Sequence, residues 1–83
     1  MLFYVYVLES NKNRHYIGFT SNLPQRLAQH NRKHKGTTYG IDETWRFIIT
    51  KEFSCKQEAM KTETYLKSLK NYRKAIEYLE NMV

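Results

Sequence analysis

A polar run over residues 9–15 separates two short apolar segments, and each of these segments carries tyrosine. Val, Ile, Tyr and Phe favour strands, whereas the Ser and Asn residues of the polar run favour a turn. The pattern therefore predicts a β-hairpin, with strands over about Leu2–Leu8 and His15–Gly18. Gly18 is interpreted as the end of the second strand, where a side chain would obstruct backbone or ligand.

Alternation along the first strand predicts two chemically different faces. One face is aliphatic and suits a core, with Phe3, Val5 and Val7. The other face carries Tyr4, Tyr6 and Leu8, and Tyr16 joins it if the register of the hairpin permits. The hairpin thus predicts a cluster of phenols beside a hydrophobic core.

The remaining chain predicts three helices and one more strand. Ser21 or Asn22 can cap a first helix that continues to about Lys33, and a basic loop over residues 33–40 is expected to be mobile. A third strand is predicted over Trp45–Phe53, although its alternation is imperfect. The second helix is expected to begin at Ser54 in a capping box with Gln57. The buried stripe of the second helix is predicted to comprise Ala59, Thr62, Leu66 and Leu69. The stripe of the last helix is predicted to comprise Tyr72, Ala75, Ile76, Leu79 and Val83.

The element order ββαβαα has too few crossovers for a parallel sheet. We therefore predict an α+β fold, a small three-stranded antiparallel sheet flanked by helices, in a single domain over residues 1–83. No apolar run is long enough for a membrane span, and no signal peptide is evident. The single Cys55 excludes a disulfide framework and is interpreted as structural, so a cytoplasmic protein is expected, with nucleoid association as an alternative.

The net charge of +6, from 14 Lys and Arg against 8 Asp and Glu, favours a polyanionic partner. Glu63 is unusual because the helical pattern places it between Ala59 and Leu66, inside the apolar stripe. A buried carboxylate must be paired, protonated or bound to a cation. A bond to a Lys or Tyr and a metal site are both open at this point.

An ordered set of short motifs resembles the GIY-YIG nuclease superfamily, which includes homing endonucleases and the nuclease module of bacterial excision repair. The set covers nearly the whole chain and most resembles the short, single-domain branch. Its members are Tyr4-Val5-Tyr6, Tyr16-Ile17-Gly18, Thr20-Ser21-Asn22-Leu23, Arg26-Leu27, His30-Asn31, the segment Glu58–Glu63 and Leu66-Lys67.

The resemblance implies a catalytic set of Tyr6, Tyr16, Arg26, His30 and Glu63. Glu63 would bind Mg²⁺ or Mn²⁺ as a single carboxylate, with water and phosphate oxygens completing the shell. Arg26 would bind phosphate and offset charge. One tyrosine would act as general base, or would only orient the attacking water. His30 would shuttle a proton or bond a phosphate, or else is a stripe histidine.

Two residues depart from the family pattern. Tyr4 replaces the glycine that opens the first tripeptide, which removes no catalytic group. Phe19 replaces a lysine of the excision-repair branch and cannot supply the phosphate or base-assisting contact of that lysine. Further basic residues are candidates for binding nucleic acid: Lys12, Arg14, Arg32, Lys33, Lys35, Lys67, Lys70, Arg73 and Lys74.

The leading hypothesis is a divalent-metal-dependent endonuclease that acts on DNA, or on structured RNA, in repair or recombination. A homodimer or a partner protein would be needed for double-strand cleavage in one event. A second hypothesis is a nucleic-acid-binding module with the nuclease fold and little cleavage activity. A third is a small interaction protein in which Glu63 and the tyrosines form a buried polar cluster.

Overall fold

The hairpin turn is built by hydrogen bonds around Ser10. In the computed structural model, which describes residues 1–33 and 43–82, strand β1 spans Phe3–Ser10 and strand β2 spans His15–Thr20. Ser10 Oγ accepts hydrogen bonds from the amides of Lys12 and Arg14, at 3.1 and 3.2 Å. Asn13 has a φ of 62°, a left-handed conformation that asparagine tolerates. The hairpin prediction is confirmed, but both strands extend two residues beyond their predicted ends.

The sheet order is β2-β1-β3, with both pairs antiparallel, and β3 spans Trp45–Phe53 as predicted. A shift in register between Val7 and Leu8 places Val7 opposite Ile49 and Leu8 opposite Phe47. Such a bulge inserts one extra residue and changes the face that the following side chains occupy. It accounts for the imperfect alternation of β3.

Within the described residues, three helices cover the two faces of the sheet. Helix α1 spans Leu23–Lys33, α2 spans Lys56–Ser68 and α3 spans Tyr72–Glu80, which confirms the order ββαβαα and the α+β fold. Helix α1 packs on one face, where the buried cluster is Tyr6, Leu8 and Trp45. Helices α2 and α3 pack on the other face, with Val5, Val7, Phe53, Ala59, Leu66, Ala75 and Leu79.

The two predicted faces of β1 are therefore confirmed, and each one faces its own core. Because β1 is the central strand, the run Val5–Leu8 is at most 1% exposed. None of the described helices is long and apolar enough to cross a membrane. The predicted basic loop lies outside the described residues apart from Lys33, which ends α1.

Of the two helix caps predicted from the sequence, one is present and one is wrong, and a further cap at the start of α3 was not predicted. Asn22 Oδ1 accepts from the amide of Gln25 at 3.1 Å and caps α1. Asn71 caps α3 through its side chain. The capping box predicted at Ser54 is wrong, because α2 begins at Lys56 and its N-cap, Cys55, makes no side-chain hydrogen bond.

Candidate active site

Tyr6 lies at the centre of the α1 side of the sheet and is 1% exposed. Its register partner on β2 is Gly18, and a Cβ atom on Gly18 would lie 2.6 Å from the Tyr6 hydroxyl oxygen and 2.8 Å from Cζ. The phenol ring thus occupies the space that a side chain at Gly18 would fill. The edge of the Tyr6 ring also packs on Phe47, with ring centroids 5.4 Å apart. The interpretation of Gly18 as a strand end is wrong, because β2 continues to Thr20.

Tyr16 lies opposite Leu8 and therefore on the same face as Tyr6. The two rings are stacked at 24°, with centroids 6.4 Å apart. Unlike Tyr6, Tyr16 is 41% exposed, because β2 is an edge strand of the sheet. The register thus joins Tyr16 to the phenol face, with one buried and one accessible phenol.

His30 and Arg26 approach this tyrosine pair from helix α1. The His30 ring lies 4.7 Å from the Tyr16 ring and 6.5 Å from the Tyr6 ring, both in edge orientations. Arg26, one turn earlier, is half-buried, and its charge acts on the Tyr6 hydroxyl. These contacts are compatible with both interpretations of His30, a proton shuttle and a packed stripe histidine.

Burial raises the pKa of Tyr6 to about 12. The positive charge of Arg26 opposes this shift, whereas Tyr16 and Glu63 add to the rise in pKa. Desolvation outweighs the arginine because the phenolate loses nearly all contact with water. Tyr6 therefore keeps its proton well above neutral pH.

Glu63 reaches the same region from helix α2. Its side chain retains 18% exposure, so it lies at the edge of the buried stripe and not within it. Lys67, one turn later, places Nζ 3.4 Å from Glu63 Oε2 and 5.7 Å from the centroid of the Tyr16 ring. This ion pair satisfies the expectation that the carboxylate has a partner, and it shows that a cation is accommodated beside Glu63.

The donor set suits a hydrated metal ion better than a protein cage. Among the described residues, no group of three or more His, Cys, Asp or Glu could hold a metal. Glu63 therefore offers one carboxylate at an accessible position. Mg²⁺ commonly binds through one or two carboxylates and retains water and substrate phosphate, which fits this arrangement.

Phe19 does not face the tyrosines. It lies opposite Val5 and packs on the core beneath α2 and α3. Its side chain therefore contributes to folding, and in this chain a lysine at position 19 would project away from the Tyr6 face. Tyr4, the other departure from the family pattern, is half-buried on the Tyr6 face, opposite Thr20.

The basic residues are distributed unevenly around this site. Lys67 and Lys70 line one groove with Tyr16, and Arg73 Nε lies 3.4 Å from the Tyr72 hydroxyl. Lys12 is exposed in the hairpin turn, and Arg14 donates to Glu43 at 3.1 Å. Arg32 and Lys33 are in the last turn of α1, Lys35 lies outside the described residues, and Lys74 is on the first turn of α3.

One cluster was not predicted from the sequence. The His15 ring stacks on Tyr72 with centroids 3.4 Å apart and planes at 8°, and His15 Nε2 lies 3.0 Å from Glu9 Oε2. Arg46 donates to the other Glu9 oxygen at 2.7 Å. The hydrogen bonds from Arg46 and then His15 lower the pKa of Glu9. The hairpin register, which pairs Glu9 with His15, was the available signal, but Tyr72 is distant in sequence.

Residues 2–75 match the model of the GIY-YIG catalytic domain. This match spans both strands of the hairpin and the helices that carry Arg26, His30 and Glu63. The chain belongs to the GIY-YIG family. Members of this family are nucleases, which indicates a nuclease-type function for the domain.

Short relatives of this GIY-YIG domain carry names without an assigned activity. A UPF0213 protein of Streptococcus pneumoniae is 39% identical over 72 residues, 86% of this chain and 72% of the relative. UPF0213 protein YazA of Bacillus subtilis is 35% identical over 78 residues, 93% of this chain and 77% of YazA. The solution NMR structure of UPF0213 protein BH0048 from Bacillus halodurans matches with a TM-score of 0.57 and 32% identity, covering 96% of this chain and 84% of BH0048.

Proposed function

We propose that this GIY-YIG domain is a divalent-metal-dependent endonuclease that hydrolyses phosphodiester bonds in DNA. Structured RNA is the alternative substrate, and the proposed biological process is DNA repair or recombination. One observation carries the proposal. Side chains from β2, α1 and α2 surround the buried Tyr6 of β1 on the side of the sheet where Tyr16 is accessible, and together they combine phenol, imidazole, guanidinium and carboxylate. A protein that only binds nucleic acid needs positive charge and has no use for a carboxylate there.

Each residue has a distinct role in the proposed reaction. Glu63 would hold Mg²⁺ or Mn²⁺, which would polarise the scissile phosphate and offset charge on the leaving oxygen. Water attacks phosphorus in line, and Tyr16 is the better candidate to orient or deprotonate it because this phenol is accessible. His30, whose ring contacts Tyr16, can receive the proton. Arg26 binds a phosphate oxygen. The hydroxyl group of Tyr6, which stays protonated, serves as a hydrogen-bond donor within the site.

Nicking of supercoiled plasmid DNA tests this proposal, using wild type, Glu63→Gln and Glu58→Gln. Glu58 is a matched control because it is exposed on the same helix and the substitution removes the same charge. We expect nicking with Mg²⁺ or Mn²⁺, none with EDTA, and a loss of about 100-fold or more in Glu63→Gln alone. One such site gives nicks, so linear product would require two protomers or two successive events.

Circular dichroism and thermal unfolding separate lost chemistry from lost folding. Mg²⁺ should raise the Tm of wild type and Glu58→Gln but not of Glu63→Gln, because an ion that binds only the folded state stabilises it by mass action. Equal nicking by Glu63→Gln and wild type would overturn the proposed role of the carboxylate. Absence of nicking on plasmid, branched DNA and RNA would overturn the nuclease proposal.

The second candidate function is a nucleic-acid-binding module. The ion pair between Lys67 and Glu63 favours it, because the lysine already neutralises the carboxylate without a metal. Salt-dependent binding to DNA without cleavage in either metal would support this function.

A further inference from the structure

A groove of about 320 Å³ lies next to the candidate active site, between the start of β2 and the turn that joins α2 to α3. We call it the β2–α2 groove. Its lining includes His15, Tyr16, Ile17, Lys67, Lys70 and Tyr72. The walls are therefore carbon-rich, formed by rings and an aliphatic side chain, and two lysines supply positive charge.

The walls of the β2–α2 groove are held together by specific contacts. Tyr72, the first residue of α3, stacks on His15, the first residue of β2. Glu9 fixes the other side of His15 at 3.0 Å. Because these contacts tie the helix to the sheet edge, the groove exists before any ligand binds, which lowers the entropy cost of binding.

Two residues belong to both the groove and the candidate active site. Tyr16 forms part of the groove wall, and its ring lies 4.7 Å from the His30 ring. Lys67 lines the groove and places its ammonium 3.4 Å from Glu63. When one phosphate of a nucleic-acid strand lies at the metal that Glu63 would hold, the next phosphate of that strand lies nearby. The reason is that each strand has a phosphate about every 3.4 Å of helix axis.

Lys70 occupies a backbone position that glycine would adopt at lower cost. Its φ is 51°, just after the C-cap of α2, where left-handed residues commonly end helices and glycine is preferred. The side chain is exposed and lines the groove. The lysine therefore strains the turn while adding a second ammonium to the rim beside Lys67.

We propose that the β2–α2 groove binds the sugar–phosphate backbone adjacent to the bond that is cleaved. The sugar contacts the apolar wall at Tyr16, Ile17 and Tyr72, and the neighbouring phosphate binds Lys67 and Lys70. This inference rests on the proposed nuclease function, because it assigns the groove as a flanking subsite of that same active site. A groove with both carbon-rich walls and ammonium groups matches a sugar–phosphate unit better than it matches an isolated anion.

The test is a titration of ¹⁵N-labelled protein with a short oligothymidylate in EDTA, so that no cleavage occurs. We expect saturable amide shifts at Tyr16, Lys70 and Tyr72. Inorganic phosphate at equal phosphate concentration should not reproduce them. Lys70→Gly should weaken binding about 3- to 10-fold and reduce the slope of log K against log salt by about 0.7. Lys61→Gln, elsewhere on α2 and outside the groove, is the matched charge control.

The Lys70→Gly variant also excludes a trivial loss of folding. Removing left-handed strain should raise Tm by about 4–8 °C, so weaker binding would accompany a more stable fold. The proposed subsite would be overturned if the amide shifts were confined to residues outside the groove, or if inorganic phosphate produced the same saturable shifts. Equal effects of Lys61→Gln and Lys70→Gly on binding would also overturn it. Plasmid nicking without groove shifts would refute only this inference. Groove shifts without cleavage of plasmid, branched DNA or RNA would overturn the nuclease proposal and leave the groove as a site that binds the backbone without flanking a cleaved bond.

Discussion

A methyl group added at Gly18 should displace the buried tyrosine of the candidate site. In Gly18→Ala, the new Cβ would lie 2.6 Å from the Tyr6 hydroxyl oxygen and 3.0 Å from Cε1 of Tyr16. Tyr6 cannot turn outward at low cost, because it is 1% exposed and packs on Phe47. In an unhindered strand, alanine would instead stabilise the protein slightly relative to glycine.

The magnitude follows from this overlap. Overpacking of a well-packed core by a methyl group costs about 1–3 kcal/mol, which exceeds the gain of up to about 1 kcal/mol from lower backbone entropy. For a domain of this size each kcal/mol lowers Tm by about 4–8 °C. We also expect the rate of plasmid nicking to fall, because the displaced Tyr6 hydroxyl can no longer donate a hydrogen bond from its present position.

A double-mutant cycle on thermal or urea unfolding checks the reasoning. Tyr6→Phe removes the atom that the new methyl approaches most closely, so Gly18→Ala should cost less in the Tyr6→Phe background than in wild type. A coupling of at least about 0.5 kcal/mol is expected for residues in contact. Stabilisation by Gly18→Ala, or an equal cost in both backgrounds, would refute the explanation of this glycine.

The remaining predictions concern alkaline stability and the start of α3. Because the pKa of Tyr6 is raised to about 12 from 10.0, the folded state retains a proton that the unfolded state loses. The contribution of Tyr6 to the free energy of unfolding should therefore be fully present below pH 10 and be lost as the pH rises towards 12. In urea unfolding, Tyr6→Phe should remove that part of the decline in stability. Asn71 Oδ1 accepts from the amides of Arg73 and Lys74, at 2.9 and 3.3 Å. Asn71→Ala should cost about 1 kcal/mol, or a Tm lowered by about 4–8 °C, whereas an unchanged Tm would contradict the capping role.

Local patterns predicted those parts of the fold that depend on neighbouring residues. Alternation in β1 separated the Val5 face from the Tyr6 face, and periodicity located the helices. The predicted start of α2 was wrong: Ser54 has the right chemistry for a cap, but the helix begins at Lys56 with Cys55 as its N-cap. The bulge in β3 appears only in its pairing with β1, which a local pattern does not describe.

The candidate site shows the same division between local and long-range information. The resemblance to the GIY-YIG family implied Tyr6, Tyr16, Arg26, His30 and Glu63, and the structure brings their elements to one region of the sheet. The sequence did not predict that Tyr6 is buried and Tyr16 accessible, because this difference depends on strand order. The stacking of His15 on Tyr72 depends on how α3 docks, which no local pattern encodes.

Tyr6 also anchors the smaller of the two hydrophobic clusters, with Leu8 and Trp45. Helix α1, which carries Arg26 and His30, rests on that cluster through Leu23 and Leu27. The phenol that belongs to the candidate site is therefore also a support for the helix opposite it. Replacement of Tyr6 by a small or polar side chain would damage folding and chemistry together, so most substitutions that erase the site at this position also lower the folded population. The requirement to fold thus protects part of the reactive geometry, even when selection on activity is relaxed.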